Sequence, residues 1–361
     1  MNSAPIFIIG TERSGSNLLR LMLNAHSSIA VPHPPHILKF FSPLEKGYGD
    51  LAQPENLKKL VDDILGLLAV HIYPWKVQPE PAEIIATTRT PDLIGIFFSI
   101  YQAYLKQCGK KRWGCKSTFM IHHIPRVLAV CPSAKFLFLV RDPRDVAASS
   151  RKAIFSPFHP YFTARLWRCQ QLAGLHFYDS APGSCCLVRY EELIAEPEKT
   201  VRMICEFLEE EYEPAMLEFY KTSSARKSEG LSESWKNTAS PVLAGNKNNY
   251  LTALSPAEIR LVEEVTGDLM LRLGYLLSGP KTTQQLAWLA GEIFLPPKPS
   301  CPVLWHYYLL NFYWTVKVEI RAMLHDRNYR QFWRRRIFLL GLRLRFLGRL
   351  IFSPSTIAGK A

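Results

Sequence analysis

The segment IFIIGTERSGSNLLRLML, residues 6–23, constrains the fold more than any other part of the sequence. Its apolar run Ile6–Ile9 is followed, after a short polar loop, by Gly15 and Ser16, which open a stretch whose apolar residues recur with helical period. This order predicts a buried strand, a tight loop and a helix N-terminus. Such an arrangement offers free backbone N–H groups and a positive dipole end to an anion, so we expect a phosphate-binding loop here.

The loop differs from that of a nucleotide kinase. A kinase loop would read G-x-x-x-x-G-K-[ST], but Gly15 is followed by Ser16 and Asn17, and the cation of the loop is Arg13. The missing lysine, together with the absence of a convincing Mg²⁺-binding aspartate, disfavours a phosphotransferase. That class stays open as the alternative, as does a non-catalytic nucleotide-binding protein.

Composition predicts a globular, reduced protein. The chain has 361 residues with 48% hydrophobic residues, enough for one large α/β domain or two smaller ones. Its eight cysteines include no C-x-x-C pair, which favours mostly buried, reduced thiols and a cytoplasmic location. The start does not read as a signal peptide, and no stretch has the length of a membrane span, so we expect neither secretion nor membrane spanning.

Basic charge is concentrated at the end of the chain. Residues 280–361 hold 13 Lys and Arg against 3 Asp and Glu, a net +10 out of the chain's +13. We therefore predict a domain over 1–279 and a basic helical extension over 280–361. A nearly neutral first part without helix-turn-helix signatures argues against nucleic acid as a partner.

Strand-like and helix-like segments alternate along residues 1–279. Strands are predicted at RWGCK, ending at Lys116, at AKFLFLVR, ending at Arg141, and at 185–189, with helices over about 121–130 and over 197–208. Asp142 and Pro143 should cap and open the helix after the second of these strands. The pattern predicts a three-layer α/β/α fold with a mainly parallel sheet and a helical insertion over about 40–110.

Five segments together carry a resemblance to a known family. They are GTERSGSNLL, WGCKST, FLFLVRDPRDVAASS, LVRYEELIAEPEKTVRMICEFL and SESWKNTASPVLAGNKNNYLTALSPAEI, and they span roughly residues 5–278. The set resembles sulfotransferases that use 3′-phosphoadenosine 5′-phosphosulfate (PAPS), in particular bacterial members with an R-S-G-[ST] loop. The resemblance implies a P-loop-like fold, transfer of a sulfuryl group to an acceptor hydroxyl, and no need for a metal.

The resemblance also implies roles for individual residues. The loop would hold the leaving phosphate, a second cradle would hold the 3′-phosphate, one tyrosine would lie against the adenosine, and one lysine of a late loop would close over the nucleotide. The loop residues are Arg13, Ser14, Gly15, Ser16 and Asn17. The second cradle consists of Arg141 and Ser149, the tyrosine is Tyr190, and the lysine is Lys247. Lys116 matches a family lysine suited to the charge that develops in the reaction, although Cys115 and Thr118 depart from the family's usual Glu and Pro.

The position at which the resembled family often has its general base carries no carboxylate in this chain. Where relatives often place a Glu, this chain reads AVPHPPHILKFF, so the titratable groups are His36, our first candidate, and His33, our second. His122 and His123 form a further pair near Lys116. A hydrogen-bonded structural histidine is the ordinary alternative at each position.

The tail and the acceptor leave alternatives open. If RNYRQFWRRRIFLLGLRLRFLGRLIF, residues 327–352, formed one helix, six arginines would share an arc of about 140°. These are Arg327, Arg330, Arg334, Arg335, Arg345 and Arg349. Such a helix would lie on an anionic membrane surface, or pack on the catalytic domain or on a second subunit of a homodimer. The aromatic residues of the insertion suit a carbohydrate, a lipid headgroup or a phenol as acceptor.

Overall fold

A five-stranded sheet with flanking helices forms the centre of the fold. The computed structural model describes residues 4–73, 75, 79–151, 153, 157–229, 235–279, 299–325 and 329–352. The strands are β1 Ile6–Gly10, β2 Ile29–Ala30, β3 Arg112–Lys116, β4 Lys135–Val140 and β5 Cys185–Arg189, in the order β2-β3-β1-β4-β5. β2 pairs in parallel with β3, and β4 with β5. The predicted α/β class with a mainly parallel sheet is confirmed.

A first group of α-helices precedes β5 in the chain. They are α1 Ser16–Ala25, α2 Ile37–Phe41, α3 Pro54–Ala69, α4 Pro81–Thr87, α5 Leu93–Cys108, α6 Ile124–Val130, α7 Pro143–Ser150 and α8 Pro160–Ser180. Those that follow β5 are α9 Tyr190–Ala195, α10 Pro197–Leu208, α11 Ser223–Glu229, α12 Tyr250–Ala253, α13 Pro256–Arg272, α14 Cys301–His325 and α15 Tyr329–Phe352.

Local sequence explains most element boundaries. The unbroken apolar run of β4 is fully buried, as expected of a strand covered on both faces. Asp142 caps α7 by accepting a hydrogen bond from the Arg144 amide at 2.8 Å, and Pro143 occupies the first helical turn, where its missing N–H costs nothing. The predicted strand at 185–189 and helix at 197–208 have the bounds of β5 and α10.

One predicted helix is wrong in its extent. Residues 121–130 were expected to form a single helix, but Thr118–His122 is a 3₁₀ helix and α6 begins only at Ile124. Pro125 explains the break, because its ring and missing N–H suit the first turn of a helix and not an interior position.

The chain divides into two compact units. Unit 1 comprises Met1–Ile6, Ser27–Ala134 and Arg327–Ala361. Its core includes an aromatic cluster in which Phe97 and Tyr101 of α5 pack together with Trp113 of β3, with the Phe97–Tyr101 and Tyr101–Trp113 ring centroids 4.7 and 5.0 Å apart. α15 belongs to this unit and lies on α3, where Arg345 forms an ion pair with Asp63 at 3.0 Å.

Unit 2 comprises Phe7–His26 and Lys135–Asp326. In it α8 packs on α13 and α7, and the fully buried Trp167 donates a 3.0 Å hydrogen bond from its indole nitrogen to the carbonyl of Arg141. α14 is attached through Asn311, whose side-chain oxygen accepts from the amides of Phe158 and His159. The domain boundary at 279 stays a prediction, since residues 280–298 lie outside the described residues.

Two composition-based expectations can be compared with the fold. The expectation of mostly buried thiols is wrong, because only three of the eight cysteines are buried. These are Cys115, Cys185 and Cys205, whereas Cys131 and Cys186 are half-buried and Cys108, Cys169 and Cys301 are exposed. In the part of the chain that the structure describes, no helix combines the length and the apolarity that crossing a bilayer requires.

Candidate functional site: an anion cradle in unit 2

The loop between β1 and α1 has an unusual backbone. Arg13 and Gly15 both have left-handed conformations, with φ of 69° and 90°, and the Ser14 amide donates to the Thr11 carbonyl at 3.3 Å. Gly15 is the N-cap of α1 and supplies no side chain to its first turn. Alternating left-handed residues at a helix N-terminus turn successive N–H groups toward one point, which is the geometry of an anion-binding nest.

Gly15 is required by packing as well as by conformation. A Cβ atom at this position would lie 2.3 Å from Cδ2 of Tyr190, the first residue of α9. The loop backbone therefore rests directly on the Tyr190 ring. This contact brings together two residues that the sequence placed 175 positions apart.

Three buried donors around the loop have no hydrogen-bond partner within the described part of the chain. They are the Ser14 hydroxyl, the Asn17 side-chain nitrogen and Nε of Arg141. The other end of the Asn17 amide is fixed, because its oxygen accepts from Nε of Arg20 at 2.8 Å. Buried donors without partners are costly in a folded protein, so their concentration here indicates a site built for a bound anion.

The residues predicted to form the two phosphate cradles are hydrogen-bonded to each other. Arg13 donates from Nε to the Ser149 hydroxyl at 3.1 Å, and Arg141 donates from Nη1 to the Arg13 carbonyl at 3.0 Å. Desolvation, followed by the nearby charge of Arg141, lowers the pKa of Arg13 to about 10, so this guanidinium remains charged at neutral pH. Two adjacent guanidinium groups make the site attractive to a multiply charged anion.

Tyr190 and Asn246 complete the surroundings of Arg141. The Arg141 guanidinium carbon lies 4.3 Å from the Tyr190 ring centroid, a cation–π contact. Asn246 donates to the Tyr190 hydroxyl at 2.7 Å and accepts from Nη2 of Arg141 at 3.2 Å through its carbonyl. Sequence reasoning missed Asn246 and named its exposed neighbour Lys247 instead; the only signal was the polar stretch GNKNNY.

Asp145 holds the late loop in place. Its carboxylate accepts from the amides of Asn248 and Tyr250 at 2.8 and 3.0 Å and lies 3.7 Å from Arg141. Burial is the largest influence on Asp145 and raises its pKa, against the opposing effect of Arg141. The second aspartate of the R-D-P-R-D motif thus connects the loop around Asn246 to α7, a role that its sequence position did not reveal.

Arg144 of the same motif is structural. It forms ion pairs with Asp142 at 2.6 Å and with Glu263 of α13 at 2.7 Å, all three side chains being buried. Its guanidinium also lies 4.3 Å from the ring centroid of Tyr250. The two arginines of the motif therefore have different roles, because Arg141 lines the cradle whereas Arg144 fixes α7 to α13.

In unit 1, His36 has a specific partner. Its Nδ1 is 3.1 Å from the Ser117 hydroxyl, which immediately follows Lys116 at the end of β3. Desolvation, then the charges of Lys116, Arg335 and Lys39, holds the pKa of His36 well below 6.5, so the ring is neutral at pH 7. His36 also has a left-handed backbone, with φ of 59°.

His33 has a different environment. It is buried, its ring stacks on Tyr73 with centroids 5.3 Å apart, and its carbonyl accepts from the Trp75 indole at 2.9 Å. His122 is exposed and His123 is half-buried beside α6. Within the described residues, no group of three or more His, Cys, Asp or Glu is arranged to hold a metal ion.

Comparison with known proteins places the chain. A family model described as "Sulfotransferase family" matches residues 5–214, more than half of the chain. The chain belongs to the sulfotransferase family. The resemblance drawn from the five sequence segments is thereby confirmed at the level of the family.

The individual relatives are distant in sequence. A "Protein-tyrosine sulfotransferase" of Drosophila melanogaster is 25% identical over 228 residues, 59% of this chain and 39% of that protein. An uncharacterized protein of Aquifex aeolicus (strain VF5) is 24% identical over 242 residues, 63% of this chain and 28% of that protein. The alignments thus span well under half the length of these two relatives.

A solved structure shows the same fold. The sulfotransferase domain from the curacin biosynthetic pathway superposes with a TM-score of 0.53 at 20% identity, covering 76% of this chain and 99% of that domain. At this identity the similarity extends to the fold alone.

Proposed function

We propose that this sulfotransferase uses PAPS as donor and transfers its sulfuryl group to an acceptor hydroxyl by in-line displacement. The acceptor oxygen forms the new O–S bond while the bond between sulfur and the bridging phosphate oxygen breaks. That phosphate oxygen keeps the electron pair, and 3′-phosphoadenosine 5′-phosphate (PAP) leaves. Catalysis then consists of positioning and of stabilising charge on the leaving phosphate.

The observation that carries the proposal is the set of unpartnered buried donors at the loop. Ser14, Asn17 and Arg141 each present one, beside backbone N–H groups at the start of α1. The fit to PAPS is chemical, since this co-substrate carries a 5′-phosphosulfate and a 3′-phosphate that both need donors. We assign the 5′-phosphate to the loop, including Gly15 and Ser16.

The 3′-phosphate is assigned to Arg141 and Ser149. Ser149 already accepts a hydrogen bond from Arg13, so its hydroxyl proton remains available to a phosphate oxygen. The partly exposed Arg13 then lies beside both phosphate positions and contributes charge to each. Tyr190, whose ring supports Gly15, would contact the adenosine, and Lys247 would reach the nucleotide from the late loop.

We assign His36 as the general base that removes the proton of the acceptor hydroxyl. Its neutral ring can accept a proton at pH 7, and the hydrogen bond to Ser117 fixes the orientation of the imidazole. His33 remains the second candidate, and Lys116 is assigned to the developing negative charge. The Drosophila relative is named for a tyrosine acceptor, which supports a hydroxyl as the acceptor group; we propose a hydroxyl of a carbohydrate, a lipid or another small molecule.

The test begins with nucleotide specificity. At about 100-fold over its Kd, PAP should stabilise the protein by about 2.7 kcal/mol, while ADP and AMP at the same concentration should raise the melting temperature much less. Transfer of labelled sulfate from PAPS to a panel of hydroxyl acceptors then tests catalysis. Equal shifts with PAP and ADP would support a phosphotransferase, and a PAP shift without transfer to any acceptor would support a binding protein.

A further inference from the structure

Helix α15 has two apolar faces, and the residues that the structure describes cover one of them. Its inner face packs on unit 1, where the Phe346 ring lies 4.8 Å from the ring of Tyr48 and against Gly47. Phe338 lies against Gly66 of α3 in the same way. These close contacts fix the rotation of the helix about its axis, and so they fix which residues face outward.

The outer face is a continuous apolar stripe. It is formed by Trp333, Ile337, Leu340 and Leu344, which we call the outer stripe, with exposed fractions between 46% and 63%. At 100° per residue these four side chains fall within an arc of about 60°. An exposed apolar stripe of this length on one helix face indicates a surface that contacts something else.

Arginines border the outer stripe. Arg334 and Arg343 are exposed on opposite sides of it, and the Arg336 guanidinium lies 5.8 Å from the ring centroid of Trp333. The sequence of α15 contains no Asp or Glu. Two other arginines point away from the stripe, because Arg345 pairs with Asp63 and Arg335 lies 4.8 Å from the Phe40 ring centroid.

We propose that the outer stripe docks on the surface of an anionic lipid bilayer, with α15 lying parallel to the membrane plane. Charge complementarity selects this occupant: the apolar stripe would enter the boundary between headgroups and acyl chains while the bordering guanidinium groups bind lipid phosphates. Trp333 suits this depth because an indole ring prefers the membrane–water interface.

The same charges disfavour a second copy of the chain. Pairing two outer stripes across a two-fold axis would bring Arg334, Arg336 and Arg343 against identical arginines, with no carboxylate on α15 to compensate. Like charges facing each other across an interface are costly, whereas anionic lipid neutralises them. Because α15 has no acidic residue, its charges favour an anionic bilayer over a second copy of the chain.

The experiment is co-sedimentation of the full chain with vesicles of phosphatidylcholine alone or with about one-third phosphatidylserine. Binding should require the anionic lipid and should weaken at least tenfold when NaCl rises from about 0.1 M to about 1 M, which shortens the Debye length to about 3 Å. Ile337→Ser/Leu340→Ser should lower the partition coefficient at least tenfold, since the stripe supplies the apolar contact. Arg334→Gln/Arg343→Gln should lower it on the anionic vesicles.

Matched controls use exposed residues of the same chemical kind outside α15. Leu251→Ser/Leu276→Ser and Arg202→Gln/Arg260→Gln should bind vesicles like the natural chain. A cooperative thermal unfolding transition close to that of the natural chain shows that every variant is folded. Equal binding to neutral and anionic vesicles, or stripe variants that bind like the controls, would overturn the proposal. So would a dimer in sedimentation equilibrium that the Ile337→Ser/Leu340→Ser variant converts to a monomer.

Discussion

Arg13 and Ser149, 136 positions apart in the chain, are joined by a 3.1 Å hydrogen bond from the guanidinium Nε to the hydroxyl oxygen. The bond connects the anion loop to α7, the helix that follows Arg141. Arg141, at the end of β4, also donates to the Arg13 carbonyl, so the loop and the end of β4 lie side by side. If the proposed assignment of the phosphates is correct, specificity for a 3′-phosphate depends on both segments.

Replacing Arg141 tests that specificity. Arg141→Ala should weaken PAP binding by roughly 10- to 100-fold and abolish the preference for PAP over ADP, because a hydrogen bond to a charged group contributes about 1.5–3 kcal/mol. Titration calorimetry with both nucleotides measures the effect. Ser149→Ala should weaken PAP binding in the same direction but less, since it removes a neutral donor.

Arg202→Ala is the matched control for charge, because Arg202 is exposed on α10 and its direct ion pair with Glu198, at 2.7 Å, is of the solvent-exposed kind that contributes little free energy. It should leave both affinities unchanged. If Arg141→Ala weakened PAP and ADP equally, Arg141 would serve to hold the loop through the Arg13 and Asn246 carbonyls, and the 3′-phosphate assignment would fail.

Gly15→Ala should impair both folding and nucleotide binding. The new Cβ would lie 2.3 Å from the Tyr190 ring, and the φ of 90° disfavours any residue with a side chain. We expect a loss of about 1–3 kcal/mol in the free energy of unfolding, measured by urea denaturation, and weaker PAP binding. Gly245→Ala, where a Cβ would meet no atom of the described residues within 4 Å, should change the free energy of unfolding by less than about 0.5 kcal/mol. Equal stability of both variants would contradict the packing argument.

The local structure of the anion cradle could largely be predicted from local sequence. The strand bounds, the cap at Asp142 and the loop at Gly15 depend on short-range patterns, and the structure places Arg13, Arg141 and Ser149 together. Local chemistry suffices there because strand ends and helix starts are set by neighbouring residues.

Long-range partners could not be predicted in this way. Asp145 anchors the loop of Asn248, and Asn246 contacts Tyr190, through pairings between segments about 50 to 100 residues apart that no spacing rule encodes. The rotation of α15 about its axis is likewise set by contacts between segments that are distant in the sequence. The sequence grouped six arginines on one arc, but Phe346 and Phe338 fit against Gly47 and Gly66, and this packing turns Arg335 inward.

Thermal stability should depend on pH through His71. Desolvation, followed by the charge of Arg335, lowers the pKa of His71 to about 3, while hydrogen bonds to the backbone of Tyr73 and Pro34 oppose the shift. A depressed pKa means that the unfolded chain takes up the proton first. Stability is therefore complete above pH 6.5 and is lost as pH falls toward 3, by up to about 1.4 kcal/mol per pH unit.

His71→Gln should flatten the dependence of melting temperature on pH between 6.5 and 4, although it lowers the melting temperature at pH 7 by removing buried contacts. Differential scanning calorimetry across this range gives both quantities. His176→Gln, at an exposed position of α8, is the control and should reproduce the slope of the natural chain. An unchanged slope in His71→Gln would assign the acid sensitivity to other groups.

The assignment of the general base to His36 makes a kinetic prediction. His36→Asn should lower turnover by roughly 10²–10⁴, the range for loss of a general base, while PAP affinity stays within about threefold. Asn is chosen because it tolerates the left-handed φ of 59°, so the backbone before α2 is preserved. Single-turnover transfer of labelled sulfate measures the step. His33→Asn should change the rate of that step much less.

The pH profile separates a base from a structural residue. Because the base must be neutral and the pKa of His36 is held well below 6.5, kcat/KM should reach its plateau below pH 6.5. Arg335→Met removes one of the charges that lower this pKa, the others being Lys116, Lys39 and the neighbouring His71, so the ascending limb should move to higher pH. Ser117→Ala frees the ring from its 3.1 Å partner and should lower kcat with little change in KM for PAPS. A limb that stays in place in Arg335→Met and persists in His36→Asn would show that the acceptor proton goes to another group.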